Sequence, residues 1–237
     1  MSVVEVNNLK KNFGQINAVK GISFSIEQGE IFGLIGPNGA GKTTTLRVLS
    51  TLLTITSGSV KIMDYELGKQ PDKIRKIISY LPEDAGAYKN LTGVAYLRFM
   101  ANFFGLSSSS QMVSKGVEIA ALDERINDKI DTYSKGMKRR LLIGRALMID
   151  PKLAILDEPT SGLDVNNAQE IRNIIKNTAI NATTFLVSSH NMLEVEYLCD
   201  RIALIDEGVI VEHGRPKDLM EKYSSKNIEE VFTRVVK

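Results

Sequence analysis

Cysteine occurs once, tryptophan not at all and histidine twice in 237 residues. The lone Cys199 excludes an intrachain disulfide and fits a reducing compartment. Two histidines and one cysteine cannot readily build a zinc site. Long apolar runs are missing too. The best, Leu141 to Ile149, is interrupted by Arg145 and falls well short of the ~18 residues a bilayer span needs. The start, Met1-Ser2-Val3-Val4-Glu5, lacks the basic and apolar regions of a signal peptide, so a cytoplasmic location is expected. Neither charge sign dominates: 30 Lys+Arg against 28 Asp+Glu leave a formal +2, and nothing calls for a nucleic-acid partner. What is present, 43% hydrophobic and 24% charged residues, describes a folded chain of one large domain, or a core with one subdomain.

Short apolar runs rich in β-branched residues read as strands: Val3–Val6, Ile22–Ile26, Ile31–Ile35, Val60–Met63, Ile77–Leu81, Leu153–Leu156, Phe185–Val187, Ile202–Ile205 and Val209–Val211. Ile22-Ser23-Phe24-Ser25-Ile26 alternates, as an antiparallel strand with one buried face does. Ile31–Ile35 and Leu153–Leu156 are continuously apolar, as strands covered on both faces would be. Helical spacing at Ala168, Ile171, Ile174 and Ile175, and a longer helix with Leu141, Leu142, Arg145 and Met148, lie between the later strands. That alternation predicts a parallel α/β core. A separate helical stretch from about Gly93 to Leu122 is interrupted at Leu106-Ser107-Ser108-Ser109-Ser110, where serine hydroxyls compete for backbone hydrogen bonds and predict a loop.

Gly36-Pro37-Asn38-Gly39-Ala40-Gly41-Lys42-Thr43 follows one such strand and precedes a helix expected from Thr43 to Leu53. Two glycines four residues apart, then Lys and Thr, form a phosphate loop in that strand–loop–helix setting. Its backbone N–H groups can turn inward around phosphate oxygens, joined by the helix N-terminus. Lys42 would reach the β- and γ-phosphates and the Thr43 hydroxyl would ligate Mg²⁺. Kinase, GTPase and ATPase all remain open at this point.

Leu153-Ala154-Ile155-Leu156-Asp157-Glu158 is four apolar residues followed by two acids. A buried strand ending there puts Asp157 at the sheet edge beside the phosphates, where it can hold Mg²⁺ through water. Glu158 points elsewhere and can act as general base on an attacking water.

With these residues the chain resembles the ATP-binding cassette family over nearly its whole length. Asp157-Glu158-Pro159-Thr160-Ser161-Gly162-Leu163-Asp164 resembles its Walker B segment and D-loop. Tyr133-Ser134-Lys135-Gly136-Met137 resembles its signature motif, Tyr80-Leu81-Pro82-Glu83 its Q-loop, and His190 its switch histidine. Phe13 is placed like the aromatic that stacks on adenine, and the loop 36–43 with Thr44 completes the nucleotide contacts. The resemblance implies a P-loop NTPase fold: a RecA-like, mostly parallel α/β core sheet, an N-terminal antiparallel β subdomain and an inserted α-helical subdomain. One nucleotide-binding domain would fill 1–237, with 1–86 and 150–225 as core and β subdomain, 87–149 as helical subdomain and 226–237 as a tail. It also implies ATP and Mg²⁺ as cofactors, Glu158, His190 and Lys42 as the catalytic set, and Thr43, Glu83 and Asp157 as the metal ligands.

Two positions depart from the family pattern. Glu83 stands where most cassettes have glutamine; it keeps an acceptor oxygen and adds a charge, and is expected to serve as a metal-sensing ligand. In the signature, Lys135 and Met137 replace Gly and Gln, while Ser134 and Gly136 keep a hydroxyl and an N–H at a helix N-terminus. By itself the segment is also an ordinary N-cap. The basic start of the following helix, Lys138-Arg139-Arg140, opposes the helix dipole and would favour an anion nearby.

In the family the signature serine caps the nucleotide of another subunit, so Ser134 and Gly136 would act in trans and a partner cassette is implied. Integral membrane subunits would supply the translocation path, with this chain at the inner face of the cell membrane. Tyr88, Tyr96, Phe99, Phe103 and Phe104 offer aromatic area for a partner helix, or fill the helical part's own core. The Q-loop and signature most resemble exporter-type cassettes of the sodium-extrusion and drug-resistance groups. A second reading, a cassette acting on ribosomes or DNA, fits poorly with one cysteine, no coiled-coil insertion and balanced charge. Near the C-terminus, Asp206-Glu207-Gly208 reads as a hairpin turn. Ile228, Val231, Phe232 and Val235 predict an amphipathic helix packed on its own domain.

Overall fold

The computed structural model describes residues 2–104, 109–180 and 183–236. Two sheets carry it. Strands β1 (Ser2–Phe13), β2 (Ile16–Glu27), β4 (Ser57–Ile62) and β5 (Tyr65–Glu66) form an antiparallel sheet in the order β2-β1-β4-β5. The second sheet contains β3 (Ile31–Ile35), β6 (Ile78–Leu81), β7 (Leu153–Asp157), β8 (Thr184–Ser189), β9 (Arg201–Asp206) and β10 (Val209–Gly214), in the order β10-β9-β3-β8-β7-β6. All its pairs are parallel except the β9–β10 hairpin, which turns at the expected Asp206-Glu207-Gly208.

The continuous apolar runs fall where both faces of a sheet are covered: every residue of β3, β7 and β8 is buried. The alternating run falls in β2, where Ile22 and Ile26 are buried and Ser23 is exposed. Phe24 stacks on Phe32 at 5.3 Å between ring centroids, joining the antiparallel sheet to the parallel one.

Helices cover the parallel sheet. α1 (Lys42–Leu49) follows β3 and stops earlier than expected, because Thr51 takes a left-handed φ of 64°. α2 (Pro71–Arg75) leads into β6. α3 (Gly93–Ala101), α4 (Ser109–Ala120) and α5 (Lys135–Leu147) share one apolar core with the sheet through Leu97, Val113, Leu141 and Leu142. Of the predicted serine loop, Leu106 to Ser108 lie outside the described residues, and Ser109 and Ser110 open α4 instead. α6 (Val165–Ala179) carries the predicted Ala168–Ile175 face, with Ile171 and Ile175 fully buried. α7 (Met192–Leu198), α8 (Pro216–Lys222) and α9 (Ile228–Val235) close the fold, and Ile228 and Val231 of α9 are buried as the amphipathic pattern requires. Among the described residues, no helix is long and apolar enough to cross a membrane.

The aromatics divide between the two expected placements. Tyr96 is buried in the core of α3, whereas Tyr88, Phe99, Phe103 and Phe104 are exposed. Tyr88, Phe99 and Phe103 meet edge to face in a row, at 5.3 and 5.4 Å.

Candidate functional site

Strands β3, β7 and β8 lie side by side and end together, so the loops after them share one edge of the sheet. This is where open parallel sheets place ligands. Gly36 begins the glycine-rich loop and its N–H donates to Ser189 O of β8 at 3.2 Å. At Gly41 the backbone is left-handed, φ 102°, and a Cβ would lie 2.6 Å from Ala18 O of β2. Only glycine fits a turn of that hand this close to another strand. Gly41 is also the N-cap of α1 and brings no side chain to the helix start. Pro37, Asn38 and Gly39 are exposed, while Ala40 is buried and its carbonyl accepts from Gly208 N in the β9–β10 turn at 3.0 Å.

Lys42 is 5% exposed, and its ammonium donates to the carbonyls of Gly36 at 2.7 Å and Pro37 at 3.1 Å. From there its Nζ lies 3.5 Å from Glu158 Oε1. Thr43 Oγ1 donates to Asp157 Oδ1 at 3.3 Å, across from α1 to the end of β7. The same carboxylate oxygen accepts from Ser188 Oγ at 2.5 Å, and that hydroxyl accepts from the Glu158 N–H at 3.0 Å. One serine of β8 thus fixes both acids of β7. Tyr80 OH donates weakly to Asp157 Oδ2 at 3.5 Å, and burial together with the Asp157 charge pushes that phenol above its ordinary range.

Glu158 turns away from Asp157, as adjacent residues at a strand end do, with a left-handed φ of 47°. Its Oε2 lies 2.8 Å from His190 Nδ1, just past the end of β8. Its Oε1 is buried with no hydrogen-bond partner, although Lys42 stands nearby. A buried carboxylate oxygen that is ion-paired but makes no hydrogen bond can still accept one from a polar third party. A cavity of about 220 Å³ opens onto Glu158, Ser161, Ser189 and His190. A wider groove of about 750 Å³ between α4 and α6 contains none of these residues.

Glu83 lies apart from Thr43 and Asp157 in its bonding: it is exposed, and its Oε1 accepts from Ser161 Oγ at 3.0 Å. Among the described residues no group of three or more His, Cys, Asp and Glu is arranged to hold a metal ion. The donor set that does assemble is the Thr43 hydroxyl with the Asp157 carboxylate, an oxygen pair suited to Mg²⁺. Phe13 sits at the tip of the β1–β2 hairpin, 45% exposed, with Lys11 Nζ 5.0 Å above its ring.

Ser134 caps α5: its hydroxyl accepts from Met137 N at 3.2 Å. The ordinary N-cap is therefore present, and Ser134 remains exposed. Gly136 is buried where a Cβ would run into the side chain of Asn167 on α6. Asn167 in turn donates to Asp164, the N-cap of α6, whose carboxyl is held below its ordinary range first by the Asn167 N–H. The helix start needs a correction, while a carboxylate does stand near these residues, with Arg140 Nη1 3.3 Å from Glu170 Oε2. The helix starts earlier, at Lys135, so these residues stand in its second turn. Arg139 points inward at 6% exposed and Arg140 donates to Ala121 O at 3.0 Å.

Arg139, Ser188 and Asn167 escaped the sequence reading. Ser188 had a signal, a hydroxyl directly after the apolar run Phe185–Val187 and two residues before His190. Gly136, Arg139 and Ile143 also share one helical face, which marks Arg139 as inward.

The family model described as ABC transporter matches residues 19–161. The linearmycin resistance ATP-binding protein LnrL of Bacillus subtilis (strain 168) is 40% identical over 228 residues, covering 95% of this chain and 73% of that protein. A Nod factor export ATP-binding protein I of Cupriavidus pinatubonensis (strain JMP 134 / LMG 1197) is 34% identical, covering 98% and 72%. Among solved structures, the dimeric post-hydrolysis state of the ATP-binding cassette MJ0796 bound to ADP and Pi superposes with a TM-score of 0.79. Identity there is 25%, covering 90% of this chain and 98% of that one.

Proposed function

Because this chain belongs to the ABC transporter family, as an ATP-binding subunit, we propose that it is the ATP-hydrolysing motor of a membrane exporter. The observation that carries the hydrolytic part is the Glu158 carboxylate. Its Oε1 is buried without a hydrogen bond, 3.5 Å from the Lys42 ammonium, and its Oε2 is engaged by His190.

In this reading, residues 36–43 and Thr44 wrap the phosphates and Phe13 stacks on adenine. Glu158 takes a proton from the attacking water as the bond between the γ-phosphorus and the ADP oxygen breaks, giving ADP and phosphate. Lys42 offsets charge on the γ-phosphate, and His190 orients the base. Thr43 and Asp157 would hold Mg²⁺, with Glu83 reaching it once released from Ser161. Bound there, Mg²⁺ would neutralise charge on the nucleotide phosphates.

A second copy, or a close homologue, would present Ser134 and Gly136 to the same phosphates in trans. The dimeric ADP-bound cassette of the same fold supports that arrangement. The exposed row of Tyr88, Phe99 and Phe103, with exposed Phe104 next in the chain, is a fitting dock for a helix of an integral membrane subunit. Export is supported by the similarity to a resistance and an export protein. The chain would then work as one nucleotide-binding unit, with 87–149 as its helical part, in the cytoplasm at the inner membrane face.

The test is direct. Purified protein should hydrolyse ATP with Mg²⁺, and Glu158→Gln should elute as a dimer on sizing chromatography with ATP and Mg²⁺. A variant that stays monomeric overturns the two-copy motor. Recovery of ribosomes or nucleic acid in place of a membrane-spanning partner overturns the transport role.

A further inference from the structure

Arg139 is a buried cation in the middle of the machinery, and neither the phosphate loop nor the metal pair uses it. Its guanidinium spans two loops. One nitrogen donates to Pro82 O at 3.4 Å; the other donates to Glu83 O at 3.1 Å and Glu158 O at 3.2 Å. It comes from α5, the helix that Ser134 caps, so one side chain connects that helix, the 82–83 loop and the end of β7.

The contact with Glu158 falls on a backbone that needs holding. A glutamate at φ 47° is in a region that L-residues with long side chains seldom adopt, and they keep it only where neighbours over-determine it. Pro159 removes the right-handed alternative by steric clash. Ser161 N donates to the same Glu158 carbonyl at 3.2 Å, and Ser188 Oγ accepts from its N–H. The guanidinium supplies the one charged bond in that set, and charge-assisted bonds are the stronger kind.

We propose that Arg139 is a positioning residue for ATP hydrolysis: it fixes the Glu158 turn and ties it to the 82–83 loop, so that displacement of that loop is transmitted to the base. Electrostatics agree with the geometry. Burial pulls the Arg139 guanidinium below its ordinary range, opposed by the carboxylates of Glu83, Asp157 and Glu158. A lysine there would keep the charge but lose the fork that spans both loops.

The inference rests on the hydrolytic reading, and one set of assays separates the two. In the full chain, Arg139→Gln and Arg139→Lys should lower kcat by about tenfold to a hundredfold, the size of effect expected when a reacting group is misplaced by an ångström or so. KM for ATP should stay within about threefold, since Lys42 and the glycine loop are untouched. The loss should be smaller for Arg139→Lys. A purely packing role would lower the melting temperature and leave kcat per folded molecule unchanged. That result in either folded variant overturns the inference alone. A wild-type protein that turns over no ATP overturns the motor reading, and this inference with it.

Discussion

The Glu83 carboxylate accepts the Ser161 hydroxyl at 3.0 Å, so the loop after β6 is bonded to the turn that follows Glu158. An amide oxygen can accept the same bond, and the backbone carbonyl of Glu83, held by Arg139, is unaffected by the side chain. Replacing Glu83 by Gln should leave ATPase activity within about one order of magnitude. Steady-state phosphate release checks it. Total loss would show that the charge itself is required.

Gly136 and Asn167 make the second prediction. A methyl group at Gly136 meets the Asn167 amide, and that amide is already committed to Asp164. Gly136→Ala should cost about 1 to 3 kcal/mol, as overpacking does. Adding Asn167→Ala, which makes room, should recover part of that cost, so the two changes couple. Chemical denaturation of the four proteins measures the coupling. Strict additivity would mean that the helices separate freely at this point.

A pH-dependent bond fixes the C-terminal helices. Burial raises the Glu212 carboxyl, but hydrogen bonds from Lys222 and Tyr223 outweigh it and bring it down to about 2 from 4.5. Tyr223 OH donates at 2.5 Å, and Lys222 pairs with the same oxygen. A depressed acid stabilises the folded state fully above its unfolded value and loses that contribution as pH falls through the folded one. The advantage of Glu212 over Glu212→Gln should therefore be about 1 to 3 kcal/mol at neutral pH and shrink below pH 4.5 towards 2. Denaturant melts at pH 7 and pH 4 read this. A gap that widens on acidification would contradict it.

All nine predicted strands overlap observed ones: β3, β7 and β8 are buried on both faces and so apolar throughout, while β2 shows itself by alternation. The tips of β1 and β2 were missed, since exposed Lys10 and Lys20 and half-buried Lys11 carry no apolar signal, and two-residue β5 is too short to show a period. The loop 36–43 was legible because its chemistry lies in consecutive residues. Ser188, Arg139 and Asn167 act between elements far apart in the chain, where spacing says nothing about contact. Tyr96 could not be told from Phe99 in the sequence, since an aromatic on an amphipathic helix looks alike whether it faces the core or a partner.

The position of β3 also dictates when the glycine-rich loop can take shape during synthesis. Its two neighbours in the sheet are β8 and β9, so Ile31 waits for Phe185 and Gly33 for Ile202. The antiparallel sheet can assemble early from local pairings, whereas β3 must close a very long loop before it gains an edge. A nascent chain that has emerged only as far as α6 therefore carries the glycines, the lysine and both acids, but not the strand that brings them together. The phosphate site cannot assemble before β8 has been made.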